Sequence, residues 1–338
     1  MDLRFSEKAK RTLLTVSVLF FLVSGHLLSA EPAGNPRVWF RFPVMGTEAV
    51  IVLCAPQEQA EKARQGVKTA FDRVVQVANP YDPESEVSRL NRTASTAPFI
   101  CSEDLWTMLQ AAREAWKISG GAFDITARPI MDLWGFYRVN PDRPAPDEKT
   151  WKEVLAKVGL EKVRFDDKAR SVFFTVPGMA LDLGGLAKGY AVDLALDAIR
   201  REGITRGSVN LGGNLGLLEP PPGQSGWVVG LLPPDHSLAG HHSTCLVKNA
   251  AVSTSGDYER FILVDGEKIG HIVDPRTGRP VHRDYSVTAI APNALWADIL
   301  STVFYLNPET VLPEGEKRAG IRIIRNESAD IRNAKGRH

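Results

Sequence analysis

Two stretches of the chain hold residues whose types and spacing could do chemistry. The first is Ala297–Thr302 (ADILST), in which Asp298 and Thr302 stand four positions apart with Ser301 alongside. On a helix these side chains share one face. A carboxylate with hydroxyls is a hard-oxygen set, suited to Mg²⁺ or Ca²⁺ and not to zinc. Mg²⁺ typically takes one or two carboxylates and fills its shell with water and substrate phosphates. By spacing alone, a helix with a satisfied polar face is the plainer reading. The second stretch is Met179–Ala191: a strand-like run from Met179 to Leu183, a break at Gly184-Gly185, then a helical pattern from Ala187 to Glu202. Strand, glycine turn and helix start let backbone N–H groups approach a phosphate. Neither P-loop nor dinucleotide-fingerprint spacing is present, so the turn taken alone is equally a simple helix entry.

These stretches must be held by a globular body. The 338 residues are 43% hydrophobic and 24% charged, enough for a sizeable core, and the net charge of +1 leaves no electrostatic footprint for nucleic acid. Cys54, Cys101 and Cys245 are far apart and follow no metal spacing, and buried free thiols are expected over a disulfide. At the N-terminus, Arg4, Lys8, Lys10 and Arg11 precede an apolar run from Thr12 to Leu28 that ends at Ser29-Ala30. Residues 1–30 therefore read as a signal peptide, or without cleavage as a membrane anchor. Basic residues before the run put the rest of the chain on the far side, in a bacterial periplasm. A linker at 31–37 follows.

Along the body, Val38–Phe42 and Glu48–Cys54 read as strands around a turn at Pro43–Thr47, and Gln57–Ala78 as a helix with one apolar face. Asn79–Asn91 carries two prolines and a capping Ser85; Tyr81 there either stacks on a planar ligand or packs under its loop. Ser102–Ser119 is a helix stopped by Gly120-Gly121. Asp124, next to Phe123, could accept hydrogen bonds from a heterocycle edge, or simply follow the helix cap into an aromatic cluster. Further elements are a helix at Lys152–Val158, a hairpin of Val163–Phe165 with Ser171–Val176, and strands at Ser208–Leu211, Leu215–Leu218, Trp227–Leu231 and Leu246–Ser253. Then come Tyr258–Val264, the hairpin turn Asp265-Gly266, Lys268–Val273, Ser286–Ala291, the helix Asn293–Phe304 and a β-like run at Ile321–Ile324. His236, His241 and His242 read as a solvated loop, having no carboxylate or cysteine spaced with them. Strands dominate the second half and come in hairpins, which gives α+β with largely antiparallel sheets and flanking helices. One domain over 38–325 and a polar tail at 326–338 are expected.

Several blocks together resemble the ApbE family, the FAD:protein FMN transferases. They are Met45–Thr47 (MGT), Tyr81–Pro83 (YDP) with Ser85–Asn91 (SEVSRLN), Gly121–Thr126 (GAFDIT), Asp182–Tyr190 (DLGGLAKGY), Val209–Gly213 (VNLGG), Thr254–Tyr258 (TSGDY), His271–Gly278 (HIVDPRTG) and Ala297–Thr302 (ADILST). Each is short; their order along residues 38 to 310 makes the resemblance specific. It implies a T-fold-related architecture and a Mg²⁺-dependent transfer of FMN from FAD to a Thr or Ser hydroxyl of a target flavoprotein, releasing AMP. Implied targets include subunits of sodium-pumping or electron-transferring respiratory complexes. Carried over by motif, Met45, Tyr81, Ala122, Phe123, Asp124, Gly184, Tyr190 and Ile272 line the FAD site. The carbonyl of Ala187 with Asp298 and Thr302 holds the metal, Ser301 is an additional ligand candidate, and His271 sits near the reacting phosphates. His271 is then the general base suggested by its pKa class, ahead of Asp257 or Asp274, while Arg276 and Lys188 could pair with phosphate. Two other activities share these residues: an FAD pyrophosphatase giving FMN and AMP, and a flavin-binding protein without turnover.

Overall fold

The computed structural model describes residues 36–137, 142–231, 243–256, 261–313 and 320–327. The leader, the histidines of the 232–242 loop, Asp257, Tyr258 and the end of the tail lie outside the described residues.

At the centre is a seven-stranded sheet whose spatial order is its chain order. Its strands are β1 (Arg37–Val44), β2 (Thr47–Cys54), β3 (Gly207–Leu211), β4 (Asn214–Leu217), β5 (Ala250–Ser255), β6 (Tyr285–Ala291) and β7 (Arg322–Glu327). Every neighbouring pair is antiparallel. Seven helices accompany it among the described residues: α1 (Gln57–Ala78), α2 (Glu86–Thr93), α3 (Glu103–Ile118), α4 (Arg128–Trp134), α5 (Glu148–Leu155), α6 (Ala187–Arg201) and α7 (Ala294–Leu306).

The period-two alternation of the strands sorts their side chains into two cores. Ile51, Leu53, Val209, Ala251, Ala289 and Ala291 face the helical layer of α1, α6 and α7. Val52, Leu217, Val252 and Ile290 face the other way, onto Trp227, Val229 and Val247 of the hairpin Trp227–Leu231/Ser243–Val247. A sheet covered on both faces is why all seven residues of β6 are buried.

α1 spans the expected residues and buries Ala60, Ala63, Val67, Ala70, Phe71 and Val74, with Val75 half-buried at the edge of that face. Ser85 and Ser102 cap α2 and α3 as expected, accepting from Ser88 N and Leu105 N. Asp265 and Gly266 have φ of 50° and 81°, the two positive values of a tight hairpin turn.

Four expectations are corrected. Met179–Leu183 joins no strand ladder among the described residues. Leu246–Ser253 is not one strand: the chain turns at Asn249 (φ 49°), leaving Ser243–Val247 in the outer hairpin and sending β5 into the main sheet. The helix expected at Lys152–Val158 starts earlier, because Asp147 caps it by accepting from Thr150 N. β7 runs two residues into the expected tail, where Asn326 donates to Thr288 Oγ1 at 3.2 Å. α4 was not foreseen; Pro129 sits in its first turn, where a missing N–H costs nothing.

Candidate active site

The glycine turn is positioned by side chains in place of a strand partner. Asn91, from α2, accepts from Leu181 N at 2.7 Å and donates to Leu181 O at 3.0 Å, and Asp182 N donates to Ile125 O at 2.7 Å. Asp182 Oδ1 then accepts from Gly184 N at 2.8 Å, while Oδ2 takes the Tyr137 hydroxyl. Burial, followed by the Asp182 charge, pushes the Tyr137 hydroxyl up, so it stays a donor. Gly185 lies under the Phe123 ring, at a distance where a side chain would press on it. α6 begins directly after, at Ala187.

α6 and α7 approach unusually closely at Gly189, whose amide donates to Asp298 Oδ2 at 3.0 Å. Asp193, one turn further along α6, accepts from Ala294 N at 2.7 Å and Leu295 N at 2.9 Å, fixing the start of α7. Asn293 caps the same end by accepting from Trp296 N. Asp298 is thereby held at 5% exposure. Burial pushes its carboxyl above the usual range, against the pull of the Lys188 charge, the Gly189 amide and hydrogen bonds from Ser253 and Asn214. A second layer of hydroxyls supports it: Ser255 Oγ lies 2.8 Å from Ser301 Oγ and 3.1 Å from Thr302 Oγ1, and Ser301 Oγ donates to the Asp298 carbonyl at 2.9 Å.

The sheet delivers its turns to the same region. The Met45-Gly46 turn joins β1 to β2 with φ of 52° and 71°, and the Gly212-Gly213 turn joins β3 to β4 with φ of 55° and 90°. Gly212 N donates to Glu48 O at 3.3 Å, so the two turns are neighbours. Asn214, the first residue after the second turn, is the one that reaches Asp298. On the other side, Ala122 and Ile272 share a buried cluster with Tyr285, Val287 and Tyr305. Segment 122–124 therefore meets the glycine turn through Phe123 and shares its buried cluster with Ile272, in the bend after Gly270 that also holds His271. Tyr81, 60% exposed, meets Tyr137 edge-on at 5.3 Å between ring centroids, and it lines a cleft of about 310 Å³ with Arg92, Arg128, Asn91 and Ala180.

The ApbE family model matches residues 45–321. The chain belongs to the ApbE family. An FAD:protein FMN transferase of Klebsiella pneumoniae is 30% identical over 317 residues, which is 91% of this chain and 89% of the relative. One of Salmonella typhimurium is 29% identical, covering 84% and 80%. The crystal structure of the ApbE protein of Thermotoga maritima superposes with a TM-score of 0.76 at 28% identity, over 88% of this chain and 99% of that one. The flavin transferase ApbE of Vibrio cholerae gives a TM-score of 0.73 at 25% identity, with the same coverage.

In this ApbE-family chain several motif residues are already engaged by the protein itself. Asp124 accepts from Thr126 N and Thr126 Oγ1 at 2.8 and 2.6 Å and from Leu160 N at 2.8 Å, so it ties the 122–126 segment to 160. Tyr190 donates to Asp104 Oδ1 at 2.6 Å, and Asp104 also binds Arg73, which knits α1, α3 and α6 together. Ser301 is fully buried among Ser255, Ser253 and the Asp298 carbonyl. Asp274 is paired with Arg276 Nη2 at 2.8 Å, which answers the choice between phosphate and aspartate for that arginine in this structure.

Asn91, Asp193, Asn214, Ser253 and Ser255 were not singled out from the sequence. Asn91, Asn214, Ser255 and Asp193 lie in or beside the recognised blocks; the signal was present, but polar residues near a glycine or inside a strand carry no spacing rule of their own. Among the described residues no group of three or more His, Cys, Asp and Glu side chains gathers as a metal site.

Proposed function

We propose that this chain is an FAD:protein FMN transferase that uses a divalent cation, Mg²⁺ by preference, and moves FMN to a Thr or Ser hydroxyl of a target flavoprotein. The observation that carries the reading is Asp298: a buried carboxylate, beside a helix start and a glycine turn, surrounded by hydroxyls and an amide oxygen and lacking a directly bonded cationic partner among the described residues. A carboxylate so placed calls for a cation. The donor set fits one. Asn214 Oδ1 is buried beside Asp298 without a hydrogen-bond partner among the described residues, and every candidate donor is a hard oxygen.

Asp298, the carbonyl of Ala187 and Thr302 would hold the ion, with Ser301 positioning Thr302 through Ser255. When bound, the ion supplies charge neutralisation for the pyrophosphate, a requirement of phosphoryl transfer. The chain's own groups do the rest. The Gly184-Gly185 turn and the start of α6 present backbone N–H groups to phosphate oxygens. Lys188 adds a point charge beside Asp298. Met45, Tyr81, Ala122, Phe123, Gly184 and Ile272 form the flavin nucleotide's walls, with Asp124 and Tyr190 bracing those walls from behind. The acceptor hydroxyl oxygen attacks the FMN phosphorus, its proton passes to His271, the bond to the adenylate phosphate breaks, and AMP leaves. Acceptors of this chemistry are exposed threonines or serines of flavoproteins, including subunits of respiratory complexes. The basic leader and apolar run support an exported enzyme, in the periplasm or tethered to the inner membrane facing it.

The test is the full chain with FAD, Mg²⁺ and an acceptor domain. Intact-mass measurement should find the acceptor carrying FMN, with one AMP per transfer. Free FMN and AMP with an unmodified acceptor would instead identify a pyrophosphatase, and unchanged FAD would leave only flavin binding.

A further inference from the structure

Asn214 is 3% exposed, and its Oδ1 has no hydrogen-bond partner among the described residues. Buried side-chain oxygens in folded proteins are nearly always satisfied, so an exception points to a missing ligand. The neighbouring carboxylate favours one orientation of the amide. The Asn214 side chain lies next to the Asp298 carboxylate, toward which only the NH₂ half can donate. The carbonyl half is therefore the one left over.

The backbone around it is held by its own contacts. Gly212 and Gly213 form a tight turn with φ of 55° and 90°, pairing Leu211 with Asn214 across β3 and β4. Gly213 N donates to Asn210 Oδ1 at 3.0 Å, and a Cβ on Gly212 would fall 2.7 Å from Thr47 Cγ2.

We propose that Asn214 Oδ1 is a further oxygen ligand of the divalent cation, given by the sheet to a centre otherwise built from α6 and α7. This rests on the metal reading above. An amide oxygen is a normal ligand for Mg²⁺ and Ca²⁺ and adds no charge to a site that already buries a carboxylate. Asn214 thus serves Asp298 twice: its NH₂ orients the carboxylate, and its oxygen stands beside it as a donor.

The experiment titrates the full chain with Mn²⁺ in the absence of flavin, counting free ion by electron paramagnetic resonance, and measures the melting temperature with and without the ion. Asn214→Ala should bind Mn²⁺ about ten- to a hundredfold more weakly. Its ion-induced rise in melting temperature should shrink, while the ion-free melting temperature stays near wild type. Asn214→Asp, which keeps an oxygen at the position, should retain at least wild-type affinity. Wild-type affinity in Asn214→Ala overturns the proposal, as does a lower ion-free melting temperature with an unchanged ion-induced rise. Should Asn214→Ala fail to fold, weakened binding in Asn214→Asp overturns it alone. Asp298→Ala separates the two levels: if it binds Mn²⁺ like wild type, or if neither protein binds, the metal reading itself fails. Lost binding in Asp298→Ala beside normal binding in Asn214→Ala removes only Asn214.

Discussion

The Gly189 amide reaches Asp298 Oδ2 at 3.0 Å because Gly189 has no side chain to hold the helices apart. A Cβ there would lie 2.3 Å from the Ala294 carbonyl oxygen and 2.8 Å from Asp298 Cβ. One absent methyl group thus sets both the spacing of α6 and α7 and the presentation of the buried carboxylate.

Gly189→Ala should force the helices apart. Overpacking of this kind costs about 1–3 kcal/mol, seen as a lower denaturation midpoint. FMN transfer should fall far more than stability does, since the carboxylate loses its place. Near-normal transfer in a folded variant would show that the close approach does not set the site.

Divalent cation should stabilise the wild-type protein against heat, by about 2.7 kcal/mol at a hundred times its dissociation constant. Asp298→Ala should fold, since it removes a desolvated carboxyl, yet gain nothing from the ion and transfer no FMN. Chelator should bring the wild type to the same state. A differential scanning calorimetry trace in which Asp298→Ala still responds to Mg²⁺ would place the ion elsewhere.

Asp193 gives a pH dependence with a definite sign. Burial raises its carboxyl from 3.8 to about 6, against the hydrogen bonds from Ala294 and Leu295, with Asp197 and Arg200 of the same helix as its charged neighbours. The folded state then holds this proton after the unfolded chain has lost it. Its contribution is full below about pH 4 and is lost as pH rises to about 6, on the order of 3 kcal/mol. Wild type should lose stability relative to Asp193→Asn across that interval, with the difference constant above it. Denaturant titrations at stepped pH measure this; a flat difference throughout would refute the assignment.

Asn91→Ala removes both hydrogen bonds to Leu181. Leaving that backbone unpaired should cost about 1–3 kcal/mol. Because Leu181 leads into the glycine turn, the KM for FAD should rise more than kcal-scale destabilisation alone explains. Steady-state kinetics at a temperature where the variant is fully folded will decide it.

Tyr190→Phe tests whether Tyr190 is a brace. It deletes the hydrogen bond to Asp104, worth about 1.5–3 kcal/mol for a bond to a charged group. Stability should drop while the KM for FAD stays within about twofold. A large rise in KM with little loss of stability would return the hydroxyl to the flavin site.

Helices and hairpins were legible where local rules act alone. The apolar face of α1, the caps at Ser85 and Ser102, and the Asp265-Gly266 turn each depend on residues a few positions apart. Met179–Leu183 misled because its apolar alternation is that of a strand, whereas its backbone is satisfied by the Asn91 side chain and by Ile125 O. Leu246–Ser253 misled because a run of strand-forming residues hides the turn at Asn249, which only the two-layer packing demands. The site was partly legible: Asp298, Thr302 and the glycine turn stand out by type and spacing, while Asn91 and Asn214 look like ordinary polar residues.

The sequence by itself determined the α+β class, the order of the elements and membership in the ApbE family, because periodicity, caps and ordered short motifs are local properties of the chain. Only the tertiary structure decided which polar groups are used up and which are left over. Asp124, Tyr190 and Ser301 find partners within the protein, whereas Asn214 keeps a buried oxygen without one among the described residues. Hydrogen-bond satisfaction is set by neighbours far away in sequence, so it becomes visible only once the helices and the sheet are packed.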